Sequence, residues 1–392
     1  MALPDGDPAV VPVAQPPDVF DPGMAADPYP VYDALRLGPP VAHDTKRDVW
    51  IVHRYADARA VLRDRESFSS RLASFERTLL GADGIGHNRV RRALASSFSP
   101  LGVERLRTVA AREVDRALDA IAERGSGDVI GDLALPLAQT VVGRMIGLPP
   151  AAWPSLHAWS QAIAGASEAS VVQALKAPSR ILREHLAGFR AEAAPLAVAA
   201  LDESHADLTL DQRVDLALIL IVGGLETTAS VIGHAAEHLS RRPRLADKLR
   251  EDADRIGPFL EEVMRYHPPV QRVLRRTVRA TRVAGQDIPA RSKVLVLIGA
   301  ANRDPAKFSQ ADQFRPRRAP NEHLVFGSGA HSCVGLWLAR MEAALAIGGL
   351  LRRFPHFELA GPVGPPAHPG VLSLAGLARV EIAVGASGPS GP

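Results

Sequence analysis

The sequence predicts a mainly α-helical protein with a smaller β portion, folded as a single domain. Helix-forming residues with apolar spacings of three and four recur in four segments, 100–124, 151–200, 208–241 and 244–266. Strand-like patches are short and lie at 48–53, 281–299 and 378–384. Proline and glycine recur after residue 267 as separate turns and not as one linker, so we expect no division into two domains.

The two ends of the chain are rich in proline and glycine. The first 17 residues read MALPDGDPAVVPVAQPP, a composition that favours extended, disordered chain. We therefore expect a disordered lead-in over 1–17, one domain over 18–384 and a flexible tail over 385–392. The N-terminus has no basic region followed by an apolar run, so we do not expect a secretory signal.

The composition excludes several classes of function. The chain has 46 basic and 43 acidic residues and no Lys/Arg block interleaved with aromatics, so we do not expect nucleic-acid binding. The apolar stretch 216–225 has ten residues, whereas a bilayer span needs about 20, so it predicts a buried helix and no membrane association. A single cysteine excludes an intrachain disulfide and suits a reducing cytoplasm, where we expect the protein to be.

That cysteine, Cys333, lies among glycines in FGSGAHSCVG (326–335), two residues after His331. Structural zinc sites use several ligands at close spacing, and the sequence offers no second pair nearby. A nucleophilic Cys–His pair would leave the glycines unexplained. An axial haem ligand accounts for more, because a thiolate bound to iron needs small neighbours beside the flat macrocycle and N–H groups that point at the sulfur.

The motif Phe-Gly-x-Gly-x-His-x-Cys-x-Gly, followed by LWLAR, resembles the haem-binding signature of the cytochrome P450 family. The resemblance extends over about 18–384 and implies a cytochrome P450 fold. In that fold haem b, which is iron protoporphyrin IX, lies between a long central helix and the helix after the cysteine loop. The resemblance makes Cys333 the axial ligand of the haem iron, and it assigns Phe326, Gly327 and Gly335 to binding the cofactor.

The segment GGLETT (223–228) resembles the oxygen-activating stretch of the family's central helix. Glycines thin one face of a helix and leave space for a ligand, and we expect Gly224 to make room for O2. Glu226 and Thr227 place an acid and an alcohol beside that space. Because cleavage of O2 consumes protons, we expect this pair to deliver them.

The segment EEVMRYHPP (261–269) contains Glu262 and Arg265 at i, i+3, a spacing that also occurs in ordinary surface ion pairs. In the cytochrome P450 family the matching Glu-x-x-Arg is structural and joins an arginine ahead of the cysteine loop. The resemblance assigns that third position to Arg318, with Arg317 as the alternative. We expect this trio to support the haem side of the fold without a catalytic role.

The segment HNRVR places His87 and Arg91 one helical turn apart, on one face. Haem carries two propionates, which are bound best by charge-assisted hydrogen-bond donors. The resemblance assigns this task to His87, Arg91, Arg275 and His331, with Arg276 as the alternative to Arg275. The family has Asp-Pro-Pro ahead of this histidine where the chain reads DGIGH, so we expect a looser start to that helix.

The resemblance implies a thiolate-haem monooxygenase that hydroxylates or epoxidises a hydrophobic small molecule in bacterial secondary metabolism. Electrons are expected from NAD(P)H through a separate ferredoxin and ferredoxin reductase, because one cysteine cannot hold an iron–sulfur cluster. The ferredoxin is expected to dock on the cysteine side of the haem, where the candidate contacts are Arg92, Arg340, Arg352 and Arg353. We expect a monomer whose substrate is free or bound to a carrier protein.

Two other functions are compatible with the same haem. Peroxide-driven oxidation, oxidative coupling or desaturation would use the same site, although the Glu226–Thr227 pair favours the use of O2. The alternative from a different class is a sensor or ligand-binding module that holds haem without turnover. Product formation with a surrogate ferredoxin and reductase would distinguish that module from an enzyme.

Overall fold

The computed structural model describes residues 15–71, 81–165, 170–190, 192, 194, 196–203, 208–367 and 374–385. The expected disordered lead-in lies outside the described residues up to residue 14, and the expected flexible tail does so from residue 386. The protein is 54% helical with a smaller sheet portion, which confirms the expected fold class.

The helices account for most of the described chain. They are α1 (Tyr29–Arg36), α2 (Tyr55–Arg63), α3 (Gly84–Leu94), α4 (Pro100–Glu104), α5 (Arg107–Arg124), α6 (Leu135–Ile146), α7 (Trp153–Ala164), α8 (Val171–Leu186), α9 (Leu210–Gly224), α10 (Glu226–Ser240), α11 (Pro243–Glu251), α12 (Ile256–Tyr266), α13 (Ile298–Asn302) and α14 (Leu336–Arg353). Local signals fix several ends: Thr209 and Gln212 form a capping box at the start of α9, and Gly125 and Gly147 end α5 and α6 in the left-handed conformation.

The strands form three small sheets. They are β1 (Val41–Asp44), β2 (Val49–Val52), β3 (Phe68–Ser69), β4 (Ser126–Asp128), β5 (Arg272–Thr277), β6 (Thr281–Val283), β7 (Gln286–Ile288), β8 (Lys293–Leu297), β9 (Phe357–Leu359) and β10 (Glu381–Val384). The largest sheet has the order β1-β2-β8-β5-β3, in which only β2 and β8 are parallel, with Trp50 opposite Val294. The other two are β4-β10-β9 and the hairpin β6-β7.

The sequence did not predict β5, although this strand lies inside the largest sheet. Its residues read RVLRRT, and three arginines hide any alternation of apolar and polar side chains. The strand forms because β8 and β3 satisfy its backbone on both sides, while Arg272 donates to the carbonyl O of Val19 and can therefore be buried. Neighbouring strands here outweigh local propensity.

The core lies among the helices that surround the central α9–α10 pair. Side chains from α5, α9, α10 and α14 meet there, and Ile121, Ile221, Ile232 and Ile347 are all fully buried. Two smaller clusters cover the two faces of the five-stranded sheet, because alternate residues of β8 point to opposite sides. Helix α10 of the central pair thus packs against α14, the helix that follows the cysteine loop.

Two helical stretches are long and apolar enough, by length and composition, to cross a membrane. They are Val129–Ile146 and Leu210–Ser240. Within the fold 61% and 72% of their most apolar windows are buried, respectively, as is usual for core helices. The apolar segment 216–225, expected to be a buried helix, lies in the second of them.

Candidate active site

The cysteine loop is a tight turn that leads directly into α14. The backbone N–H of Cys333 donates to the carbonyl O of Phe326 at 2.7 Å and closes the turn. Gly327 and Gly329 have φ of +69° and +79°, a conformation that favours glycine. A Cβ atom on Gly329 would in addition lie 2.9 Å from the carbonyl O of Leu62, at the end of α2. The turn and its packing therefore require glycine at both positions.

Cys333 is exposed as a residue, although protein atoms surround its thiol closely. Burial raises the pKa of the thiol above its usual value. Three groups oppose that effect and lower the pKa, namely the backbone N–H of Gly335, which donates to the sulfur, and the guanidinium groups of Arg91 and Arg340. These groups favour the thiolate, which is the form of cysteine that binds metals.

A cluster of polar side chains lies beside the loop. The rings of His87 and His331 lie 4.2 Å apart, and His331 Nε2 is 3.1 Å from Asp83 Oδ1. Burial, assisted by the neighbouring His87, lowers the pKa of His331 to about 4, although Asp83 opposes this effect. Arg275 lies near Asp83 and His331, whereas the next residue on the strand, Arg276, is exposed. Of the two arginines that the sequence offered, the structure therefore brings Arg275 to the cluster.

Helix α3 is tied to the cysteine loop through Arg91. Its Nη1 donates to the carbonyl O of Ser332 at 2.7 Å. The helix begins at Gly84 without a side-chain cap, since the Asp83 carboxylate accepts instead from the backbone N–H of Ser70 and contacts His331. The Asp83 carboxylate thus connects the segment that lacks the two prolines to Ser70 and His331.

The central helix is interrupted within the segment GGLETT (223–228). The sequence predicted one helix over 208–241, whereas α9 ends at Gly224 and α10 begins at Glu226, with Leu225 at φ −84° and ψ −68° between them. The Thr227 hydroxyl donates to the carbonyl O of Gly223 at 2.6 Å. The alcohol therefore turns back toward the last turn of α9.

The two glycines of this segment face different surroundings. A Cβ atom on Gly224 would lie 2.7 Å from Cγ2 of Val142 in α6, whereas one on Gly223 would meet no atom within 4 Å. The small size of Gly224 therefore serves the packing of α9 against α6, and its expected role of making room for O2 stays a prediction. The open side of the helix is at Gly223.

Replacing Gly224 with alanine is expected to lower the free energy of unfolding by about 1–3 kcal/mol, because the added methyl group would press on Val142. Gly223→Ala is the matched control, since its methyl group meets open space and alanine is about 1 kcal/mol better than glycine in a helix. Urea unfolding measures both variants. Equal stabilities would contradict the packing that we assign to Gly224.

The carboxylate of Glu226 faces α7, and this contact was not visible in the sequence. His157 Nε2 lies 3.2 Å from Glu226 Oε1. Both side chains line a cavity of about 80 Å³ together with Gln161 and Ser230. Because α7 and α10 are distant in sequence, no local spacing could have joined His157 to the acid.

The structure places Glu262, Arg265 and Arg318 in one buried network. Arg265 contacts both carboxylate oxygens of Glu262 at 2.8 Å, and both side chains are fully buried. Arg318 Nε lies 3.1 and 3.2 Å from the same oxygens, while Arg317 is exposed. The two arginines also donate to carbonyl oxygens between residues 302 and 313, so the network ties α12 to the chain ahead of the cysteine loop.

Glu342 of α14 is a further buried acid, and it was not among the site residues predicted from the sequence. It is 1% exposed, and its carboxyl group is hydrogen-bonded to Thr228 of α10. Burial raises the pKa of Glu342 to about 8, and the hydrogen bond with Thr228 only partly opposes the shift. A charged residue within the apolar run around Met341 and Leu345 was the available signal.

The raised pKa of Glu342 makes the protein less stable in alkaline solution. The native state holds this proton up to about pH 8 and the unfolded chain loses it near pH 4.5, so stability falls as the pH rises between these values. We expect Glu342→Gln to be more stable than the wild type at pH 8–9, by an amount on the order of several kcal/mol, with the gap closing toward pH 5. Urea unfolding across this range is the measurement, with the exposed Glu251→Gln as control. A constant difference across the range would refute the assignment.

The arginines proposed as ferredoxin contacts differ in their surroundings. Arg340 makes two contacts of 2.7 and 2.8 Å with the carboxylate of Glu261 and lies over the ring of Phe326. Burial acts to raise the pKa of Glu261, but hydrogen bonds from Arg340 and His323 outweigh it and lower the pKa to about 2. Arg340 is therefore held in place by this carboxylate. The other three arginines, Arg92, Arg352 and Arg353, are exposed.

Comparison with known proteins identifies the family. The cytochrome P450 family model matches residues 192–376. Cytochrome P450 monooxygenase PikC of Streptomyces venezuelae is 33% identical over 364 residues, which cover 87% of each chain. The crystal structure of CalO2 superposes with a TM-score of 0.84 at 31% identity and covers 95% of this chain and 99% of its own. P450BioI, solved in complex with an acyl carrier protein ligated to hexadec-9Z-enoic acid, gives 0.84 at 27% identity and covers 93% and 100%.

The fold and the site thus define a haem-thiolate oxidoreductase. The chain belongs to the cytochrome P450 family and is a monooxygenase of that family, which confirms the resemblance found in the sequence. A sensor without turnover is thereby set aside.

Membership of this family implies a haem cofactor, and the residues around Cys333 fit this group. Cys333 is exposed, and three neighbouring groups lower the pKa of its thiol against the larger effect of burial. Beside it lie two histidines and two arginines, the kinds of donor that carboxylate groups such as propionates require. The donor set therefore fits an anionic macrocycle with one open axial position for cysteine.

Proposed function

We propose that this protein is a bacterial monooxygenase that activates O2 to hydroxylate or epoxidise a hydrophobic small molecule in secondary metabolism. The observation that carries the proposal is the position of the exposed Cys333 in a tight turn that leads into α14, beside a cluster of histidine and arginine donors. The similarity to PikC, a bacterial monooxygenase, supports it. When bound, haem supplies the activation of O2 and the transfer of one oxygen atom.

In this proposal each site residue has a defined task. Cys333 is the axial ligand, and the turn at Phe326, Gly327 and Gly335 presents its sulfur. The propionates are bound by the cluster described above, His87, Arg91, Arg275 and His331. Arg91 serves twice, because it also fixes the Ser332 carbonyl next to the cysteine. The trio Glu262, Arg265 and Arg318 supports this side of the fold.

Protons reach the site through α10. Thr227 holds a hydroxyl proton at the open side of the helix, where it donates to the Gly223 carbonyl. Glu226 holds the acid on the side that faces α7. The pair favours the use of O2, because O2 cleavage consumes protons whereas peroxide-driven oxidation does not need this supply.

Electrons come from NAD(P)H through a ferredoxin and a ferredoxin reductase. The ferredoxin docks on the cysteine side, where Arg92, Arg352 and Arg353 are exposed, while Arg340 is held by Glu261. The substrate is free or carried by a carrier protein, and the complex of P450BioI with an acyl carrier protein supports the second arrangement. The protein acts as a monomer in the cytoplasm.

Reconstitution tests the proposal. The haem-loaded protein, a surrogate ferredoxin with its reductase, NADPH and a library of hydrophobic compounds are combined under air. Compounds that shift the Soret band are then assayed with isotopically labelled O2. We expect one labelled oxygen atom in the product and a dependence on both redox proteins. Product formed equally well from hydrogen peroxide without O2 would contradict the proposal.

A further inference from the structure

The acid of the α10 segment has a titratable neighbour on a different helix. His157 lies in the second turn of α7, and its Nε2 is 3.2 Å from Glu226 Oε1. The Glu226 side chain is 8% exposed, whereas that of His157 is 27% exposed. His157 therefore lies between the buried carboxylate of Glu226 and solvent.

The surroundings of this pair suit the passage of protons. The cavity of about 80 Å³ that both residues line has room for several water molecules and offers them polar groups. Gln161 lies one turn after His157 on α7, and Ser230 lies one turn after Glu226 on α10. Each of the two helices thus presents two polar side chains to the cavity, whose remaining lining residues are small or apolar.

The direction of Glu226 indicates where its protons come from. Neighbouring residues of an α-helix project about 100° apart, so Glu226 and Thr227 face different sides of α10. Thr227 turns back to the Gly223 carbonyl at the open side, while Glu226 turns to α7. A proton delivered by Glu226 must therefore be replaced from the α7 side.

We propose that His157 resupplies Glu226 with protons from solvent, an inference that rests on the proposed function. An imidazole has two ring nitrogens, so it can take up a proton at one and release a proton from the other. A hydronium ion from solvent protonates His157 at Nδ1 and leaves as water, and the Nε2 proton passes to Glu226 Oε1 after the acid has given up its own. Exchange with water then returns the ring to its starting tautomer. His157 is a positioning residue and a proton relay, since it touches the acid and not the substrate.

His157→Gln tests the relay, because glutamine can still donate a hydrogen bond to Glu226 but cannot pass protons between two nitrogens. With the first compound that gives product in the reconstituted system, we expect product formation per NADPH to fall at least about tenfold. The solvent deuterium isotope effect on turnover is expected to rise. The affinity for the compound, measured from the Soret shift, is expected to stay within about twofold. The exposed His356→Gln is the matched control and is expected to behave as the wild type.

A second readout does not depend on turnover. In protein labelled with 13C-histidine, reduced and bound to carbon monoxide, the His157 ring signal is identified by its loss in His157→Gln. We expect Glu226→Gln to shift this signal and to leave that of His356 in place.

The outcomes separate the two claims. A wild-type protein that forms no O2-dependent product overturns the proposed function and the relay with it. The relay alone is overturned if the wild type is active and His157→Gln keeps both the normal yield of product per NADPH and an unchanged solvent isotope effect. Equal losses of affinity and turnover in that variant would show a structural role and also overturn it.

Discussion

Replacing Cys333 with histidine is expected to abolish both the thiolate-type absorption of the reduced carbon monoxide complex and product formation. The chain has one cysteine, so no other thiol can take its place. We expect the loss of activity to exceed the roughly 10–100-fold that follows when only a hydrogen-bond partner of a metal ligand is removed. Absorption spectra and product assays of the reconstituted proteins measure the two effects.

Arg340→Gln is the control for this experiment. It removes one of the cations that favour the thiolate but leaves the sulfur and its turn in place, so the thiolate-type band is expected to remain. Circular dichroism of Cys333→His is expected to match the wild type, because the turn depends on Gly327 and Gly329 and not on the thiol. A thiolate-type spectrum from the histidine variant would contradict the assignment of the ligand.

Replacing Arg265 with methionine is expected to lower the free energy of unfolding by about 3–5 kcal/mol, the cost of breaking a buried ion pair from one side. Arg265 and Glu262 are both fully buried, so the carboxylate cannot recover its lost contacts from water. Three backbone carbonyls, those of Asn302, Ala311 and Gln313, lose a donor as well. Urea unfolding of the haem-loaded protein measures the effect.

An exposed ion pair with the same spacing provides the comparison. Arg107 at the start of α5 contacts Glu104 at i, i+3, and the two side chains are 47% and 54% exposed. We expect Arg107→Met to change the free energy of unfolding by less than about 0.5 kcal/mol, because exposed pairs of this kind contribute little. Similar effects at the two positions would show that burial does not set the strength of the Arg265 contacts.

The sequence predicted those parts of the site that depend on neighbours along the chain. The cysteine turn is one such part, since Phe326, Gly327 and Cys333 interact within eight residues. Glu262 and Arg265 are another, because one turn of helix brings them together. The helical segments were predicted for the same reason, although the interruption at Leu225 was not.

Contacts between distant segments could not be predicted in the same way. The periodicity of apolar residues places Gly224 in a helix, but it does not show that this glycine packs closely against Val142 of α6. The pairing of His157 with Glu226 and the burial of Glu342 depend on how whole helices pack. For β5, strand partners matter more than its own arginine-rich residues.

The hydrogen bond from Arg91 to the Ser332 carbonyl has a practical consequence for studies of this protein. It connects α3 with Ser332, the residue that precedes the proposed iron ligand. A displacement of α3 would be transmitted to the sulfur and would alter the colour of the protein. Visible spectra could therefore report on movements of that helix without any attached probe.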